Sequence, residues 1–326
     1  MIREEVRIFS GSNGKELGKR ICDCLGTTLG ESKVIKFLDG NIFVKIEEAV
    51  MNRRIYLVQT IGLNPNDEFM ELLFWMDAFK RAGALSVTLV IPYFGYGKSD
   101  KQEEDGVSIR ARVCAECIER LGVKRVITMD LHSPQVLGFF NSPIENLMVS
   151  PVLCEFIRSL NLKEYVVVSP DAGFSKDARK IASHLGVGVA IGDKTRKCHD
   201  EKAEILDLIG DIKGKDAVIF DDFTISGGTL IELAKALKAR GAGKIYACLS
   251  HLLLNEENLK KVEQSDIDLI VSTDSVNNNY ITNSKRIKIL SAAPLFAEAI
   301  DKIEDGKLVS EIYDKKNLEK IYAKMQ

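Results

Sequence analysis

VIFDDFTISGGTL, residues 218–230, runs from an apolar stretch through two adjacent carboxylates, Asp221 and Asp222, into a glycine-rich turn. The apolar stretch reads as a strand buried on both faces, as strands of parallel sheets are. The Ser226-Gly227-Gly228-Thr229 turn then opens what reads as a helix. Strand, turn and helix in that order are the unit of an α/β fold. A strand core needs no pair of acids at its tip, so the acids point to chemistry. A glycine-rich turn entering a helix offers backbone N–H groups and the positive end of the helix dipole, which suits a phosphate. No G-x-x-x-x-G-K-[ST] occurs, so this is not a Walker loop. Two carboxylates beside a phosphate cradle make sense aimed at hydroxyls or at a bound magnesium ion, and a sugar phosphate offers both hydroxyls and a phosphate.

The same grammar extends outward. RRIYLVQT (53–60), SVTLVIPYF (86–94), KRVITMDLH (124–132), EYVVVSPDAG (164–173) and KIYACLSH (244–251) are further apolar runs, with helical patterns between them. In DEFMELLFWMDAFKRAGA (67–84), Phe69, Leu72, Leu73, Met76 and Phe79 recur at helical spacing, and Gly83 can end the helix. Gln59, Asp130 with His132, Asp171, and Asp221 with Asp222 stand where these runs end. In open α/β sheets the carboxyl ends of the strands share one edge, and ligands bind there. A boundary near residue 150 predicts two α/β units, 1–149 and 150–292. A late helical segment, about 293–326, should return to pack on the first unit.

The chain has 326 residues, 45% hydrophobic and 28% charged, with a net charge of −2, an ordinary balance that argues against nucleic acid as a partner. The start, MIREEVRIFS, lacks the apolar stretch of a signal peptide, and no run reaches the ~18 apolar residues of a membrane helix. A cytoplasmic protein without membrane contact is the expectation. Cys114 and Cys117 have C-x-x-C spacing but lie in an amphipathic helical pattern without a second ligand pair. They and the other five cysteines therefore read as small buried hydrophobes.

The 221–229 stretch resembles the PRPP-binding motif shared by phosphoribosyltransferases and PRPP synthetases. FLDGNIFVKIEEAV (37–50), NPNDEFMELLFWMDAFKRAGA (64–84), VIPYFGYGKSD (90–100), DLHSPQVLGFF (130–140), VVVSPDAG (166–173) and APLFAEAI (293–300) follow in order. Together they resemble the ribose-phosphate diphosphokinase (PRPP synthetase) family over about residues 6 to 311. That resemblance implies two tandem phosphoribosyltransferase-like units with mainly parallel sheets. It implies magnesium-dependent transfer of the β,γ-diphosphoryl group of ATP to the C1 hydroxyl of ribose 5-phosphate, giving PRPP and AMP. It also implies a homo-oligomer of dimers, up to a hexamer.

By the same resemblance, Phe37, Asp39 and the neighbouring Asn41 belong to the ATP site, with Lys98, Ser99, Asp100 and His132. Asp171, Ala172, Gly173 and Phe174 form the diphosphate loop. Asp221 and Asp222 bind the ribose hydroxyls, and Ile225, Ser226, Gly227, Gly228 and Thr229 surround the 5-phosphate. His132 and Asp171 are the metal candidates. Lys194 and Arg196 match a basic pair on a mobile catalytic loop, and in an extended segment residues two apart face one side.

The chain also departs from the pattern. Asn41 replaces a Glu, Lys98 an Arg, Ser99 a Gln, Phe174 a Gly, and Ile225 an acid; Ser250-His251 stands for Thr-His. The altered 100–112 segment departs from the family's regulatory pattern. Two alternatives follow: the same transfer to another ribose acceptor such as ADP-ribose, as in NAD reconstitution, or a catalytically silent regulatory paralogue. A phosphoribosyltransferase would not need the first-half landmarks.

Overall fold

The computed structural model describes residues 5–195, 204–281 and 284–326. The first half comprises β1 (Val6–Ser10), α1 (Lys15–Leu25), β2 (Ser32–Lys36), β3 (Ile42–Ile46), β4 (Arg54–Val58), α2 (Pro65–Arg81), β5 (Ser86–Ile91), α3 (Arg110–Arg120), β6 (Arg125–Met129) and β7 (Ile144–Leu147). Then follow α4 (Ser150–Ser159), β8 (Tyr165–Ser169), α5 (Ser175–Leu185), β9 (Gly188–Thr195), β10 (Glu204–Ile209), β11 (Asp216–Thr224), α6 (Gly228–Ala239), β12 (Ile245–Leu252), α7 (Glu256–Glu263), β13 (Leu269–Thr273) and β14 (Ile287–Leu290). The chain closes with α8 (Ala293–Glu304) and α9 (Lys315–Met325).

Strands β1-β4-β5-β6-β7 form one sheet in that order, with every pairing parallel. Strands β10-β9-β8-β11-β12-β13-β14 form a second, parallel except for the β9–β10 edge. The α/β class with mainly parallel sheets therefore stands. The continuous apolar runs are the reason: all eight residues of β12 are buried, and a strand covered on both faces leaves no room for alternation.

Helices divide the core into three layers. α2 and α3 cover the outer face of the first sheet, where Phe9, Leu57, Leu72, Trp75 and Phe79 pack. α6 covers the second sheet through Leu230, Leu233, Ala234 and Leu237. A continuous cluster between the sheets joins Ile8, Tyr56 and Ile127 to Val167, Val218 and Cys248 through α1, α4, α5, α8 and α9. The late segment is thus part of the shared core, as the two α-helices α8 and α9. Gly306, at φ 67°, ends the turn after α8. Glu304 at the end of α8 accepts from Tyr56 Oη at 2.7 Å and pairs with Arg54 at 2.8 Å, tying it to the first sheet.

The stripe expected in α2 is nearly right. Phe69, Leu72, Met76 and Phe79 are buried, while Leu73 is only partly so and Trp75 takes the deeper place. Glu71 accepts from the Trp75 indole N–H at 3.1 Å, which permits that burial.

The two sheets meet through the carboxyl ends of their strands. Thr60 Oγ1, after β4, donates to Ser275 O at 2.6 Å, after β13. His251 Nε2, on β12, lies 3.0 Å from Met129 O at the end of β6. Ser250 Oγ donates to Asp130 Oδ2 at 2.6 Å. Tyr93, Leu253 and Val276 form a small apolar plug in the same seam.

Candidate active site

Three strand ends build the site. At the first, β6 ends at Met129, and Asp130 adopts a left-handed backbone, φ 41°. Aspartate tolerates that region better than most residues because its short side chain can bond locally. Here its carboxylate accepts from Val149 N at 3.1 Å and from Ser250 Oγ. Burial pushes the Asp130 carboxyl up to about 6, against the pull of those two donors. The kink delivers His132 to the cleft.

At the second, β11 carries Asp221 and Asp222. Each turns a carboxylate oxygen onto the next residue's amide: Asp221 Oδ1 accepts from Asp222 N at 3.0 Å, and Asp222 Oδ1 from Phe223 N at 2.9 Å. Asp222 Oδ2 lies 2.5 Å from His132 Nδ1, so the two halves of the chain share one ion pair. The hydrogen bond to Asp222 raises the His132 pKa against the cost of burial. Burial works against the Asp222 carboxylate, but the bond to His132 and its charge hold that pKa below the usual range. Lys98 and Asp100 act on His132 with opposite signs, which places both within electrostatic reach of it.

Beyond Asp222 the chain makes its turn. Thr224 Oγ1 accepts from Gly227 N at 3.1 Å, and Ser226 Oγ from Gly228 N at 3.3 Å. Gly227 has φ 74°, and a Cβ there would lie 2.6 Å from Val262 Cγ2, so the position requires glycine twice over. α6 then starts at Gly228, and helix geometry leaves the amides of Thr229 and Leu230 without an intrahelical acceptor. Ile225, where the family pattern has an acid, stands 46% exposed at the mouth of this turn.

At the third strand end, β8, the loop 171–174 enters α5. Asp171 Oδ1 accepts from Phe174 N at 3.1 Å. The Phe174 side chain, replacing a glycine, packs partly buried against the shared core instead of standing over the loop. Its bulk therefore does not close the backbone approach.

Other expected residues lie elsewhere. Phe37, Asp39 and Asn41 occupy the tip of the β2–β3 hairpin, which packs its Val34, Val44 and Ile46 on the outer core layer with α2. Phe37 is half exposed, and none of the three lines the pocket around His132. Asn41 replaces a Glu in the pattern, and here its backbone and side-chain N–H groups both donate to Asp39, at 3.0 and 2.8 Å. Those two bonds lower the Asp39 pKa. Lys194 is not in a loop: its backbone lies in β9, opposite Ile205 of β10. Arg196 lies outside the described residues. Ser99 sits in the turn before α3, its N–H donating to Tyr96 O at 3.0 Å.

The sequence reading missed two aromatic rings. Phe223 stands edge-on to His132, ring centroids 5.4 Å apart, and Lys98 Nζ lies 4.1 Å above its ring. Tyr93 reaches the same ring at 6.1 Å. The pocket that Tyr93, Phe94, Lys98, Met129, Asp130, Leu131, His132 and Phe223 enclose holds about 10 Å³, room for one water. His251 is buried, bonded on Nδ1 to Ser275 Oγ at 2.8 Å and on Nε2 to Met129 O, and burial lowers its pKa to about 4.

No group of three or more His, Cys, Asp or Glu side chains is placed to hold a metal ion among the described residues. A magnesium ion commonly takes one or two carboxylates and fills its shell with phosphate oxygens and water. The oxygen donors of Asp171 fit that habit. His132 fits only when neutral, since the Asp222 partner favours its protonated form.

Comparisons with known proteins find similarity over nearly the whole chain. A family model described as the N-terminal domain of ribose phosphate pyrophosphokinase matches residues 6–122, and a phosphoribosyl synthetase-associated domain matches residues 197–314. The ribose-phosphate pyrophosphokinase of Fusobacterium nucleatum is 37% identical over 311 residues, 95% of this chain and 98% of that one. That of Caldanaerobacter subterraneus is 39% identical over 309 residues, 94% and 98% of the two chains. The crystal structure of phosphoribosylpyrophosphate synthetase from Mycobacterium smegmatis superposes with a TM-score of 0.87 at 28% identity, covering 92% of this chain and 99% of that one.

Proposed function

Because the chain belongs to the ribose-phosphate pyrophosphokinase family, a family of diphosphotransferases, we propose that it moves the β,γ-diphosphoryl group of ATP onto the C1 hydroxyl of ribose 5-phosphate. The products are PRPP and AMP. The observation that carries this reading is the meeting of Asp222 and His132 across the cleft, directly before a glycine turn and helix N-terminus.

In this reading Asp221 and Asp222 accept hydrogen bonds from the ribose hydroxyls and fix the sugar. The amides of the Ser226–Thr229 turn and the first turn of α6 hold the 5-phosphate. The C1 hydroxyl oxygen then attacks the β-phosphorus and releases its proton to solvent, the bond from the β-phosphorus to the α,β-bridging oxygen breaks, and AMP leaves with that oxygen. Little covalent work falls to the protein, so position and charge decide the rate. His132, whose protonated form Asp222 favours, and Lys98 face the polyphosphate, Lys194 and Arg196 offset charge at the transferring group, and the 171–174 loop receives the diphosphate. Magnesium, when bound, supplies charge neutralisation on the triphosphate, with Asp171 as its protein donor.

The two sheets are read as two domains divided near residue 150. Since the hairpin tip with Phe37 and Asp39 stands outside its own cleft, its adenine contact is assigned to the nucleotide of a second copy, consistent with the dimer-based assembly expected from the sequence. Exposed Ile225, lacking the acid's charge beside the 5-phosphate turn, keeps ADP-ribose as a second acceptor. The test gives the protein ATP and magnesium with either acceptor and identifies the products by mass spectrometry. A preference for ADP-ribose of ~100-fold or more in kcat/KM, about 2.7 kcal/mol, would replace the acceptor and leave the diphosphotransfer intact.

A further inference from the structure

Lys98 stands where the family pattern has an arginine, and the two are not equivalent. A guanidinium is a planar, pre-organised fork, while an ammonium is a point charge on a flexible stem. Lys98 is exposed, and its stem must lose much rotamer freedom before its charge can serve a fixed phosphate. The structure supplies a support from the other half of the chain. Phe223 lies on β11 directly after Asp222, and its ring face carries the Lys98 ammonium 4.1 Å from the centroid. Its edge meets the His132 ring at 5.4 Å. The ring is itself held from behind, by the plug of Tyr93, Leu253 and Val276 in the seam between the sheets.

We propose that Phe223 is a positioning residue that sets the Lys98 ammonium on its ring face, so that Lys98 meets the ATP phosphates pre-arranged beside His132. The proposal rests on reading this cleft as the nucleotide phosphate site. A lysine held by an aromatic face recovers part of the pre-organisation that an arginine fork has by itself. The ring touches the cation, and the cation touches the substrate, so Phe223 acts on ATP only through Lys98. Its loss is felt in ATP affinity and not as a general loss of turnover.

Two readouts test this. The first needs no activity. Lysines of the whole protein are ¹³C-dimethylated, and the Lys98 signal is identified by its absence in Lys98→Arg. Ring-current shielding moves that signal upfield of the other lysines, Phe223→Leu returns it to them, and Phe223→Tyr retains the displacement. The second is a kinetic cycle. Phe223→Leu raises KM for ATP about 3- to 10-fold with kcat changed less than KM, the range a cation–ring contact supplies. In a Lys98→Ala background the same substitution adds nothing further, and Phe223→Tyr restores the original KM in the Lys98 protein. A Lys98 signal at the ordinary position in the unsubstituted protein overturns the proposal, as do fully additive effects of the two substitutions. If the unsubstituted protein produces no AMP from ATP, the functional reading fails by itself. The NMR arm still decides whether the ring holds the ammonium.

Discussion

Gly227 and Asp222 show how much a single position carries. Substituting Gly227 with alanine puts a side chain on a left-handed residue and drives its Cβ to 2.6 Å from Val262. Gly227→Ala should therefore lose about 1–3 kcal/mol of stability in urea unfolding, together with the binding of the acceptor phosphate. A variant as stable as the parent would show that Val262 and α7 yield freely. At Asp222 the measurement is electrostatic. The bond to Asp222 raises the His132 pKa, so Asp222→Asn should move the His132 C2–H titration down towards its ordinary value in the metal-free protein. An unchanged midpoint would mean that the pair is not formed in solution. The acids, the glycine turn and His132 were legible in the sequence because their chemistry is unusual at strand ends. Phe223 was not, because an aromatic residue in an apolar run looks like core, and only the partner across the cleft reveals its exposed face.

At the scale of elements, the parallel strands were the most legible. Buried on both faces, they read as unbroken apolar runs such as 165–169 and 217–220. The β9–β10 border of the second sheet was not: GVAIGDKT mixes glycine and charge, and it forms a strand because β8 and β10 pair with it on either side, which no local pattern announces. Lys194 consequently rides on a two-stranded edge rather than a bare loop. The role in charge stabilisation proposed for Lys194 predicts that Lys194→Ala lowers kcat about 10³-fold with an intact circular dichroism spectrum. Turnover near that of the parent would return the segment to a solvated basic hairpin. The β2–β3 hairpin was legible as a motif but not as a place, because sequence similarity names its residues without saying where the fold sets them.

For the whole molecule, the seam between the sheets couples fold to site. The strand ends that build the candidate site also carry Asp130–Ser250, Thr60–Ser275 and His251 with its two partners. His251 is neutral in the folded chain, its pKa lowered by burial to about 4 from an ordinary 6.5. Between those values the unfolded chain binds a proton that the folded chain does not, so stability rises with pH across that window and is lost as pH falls through it. His251→Gln should flatten this dependence between pH 6.5 and 4 in denaturant titrations, whereas an equal slope in both proteins would put the acid sensitivity elsewhere. That the two halves would be fastened at their strand ends by buried polar bonds was not legible, since Asp130 and Ser250, Thr60 and Ser275, and Met129 and His251 each lie more than a hundred residues apart in the chain. The central claim is diphosphotransfer in the cleft between these sheets. Its most direct measurement follows ATP and ribose 5-phosphate with magnesium by ³¹P NMR. The account predicts AMP and a new diphosphate doublet pair on C1 of the sugar, formed in equal amounts and abolished by chelation of the metal. ADP as the only nucleotide product would contradict it.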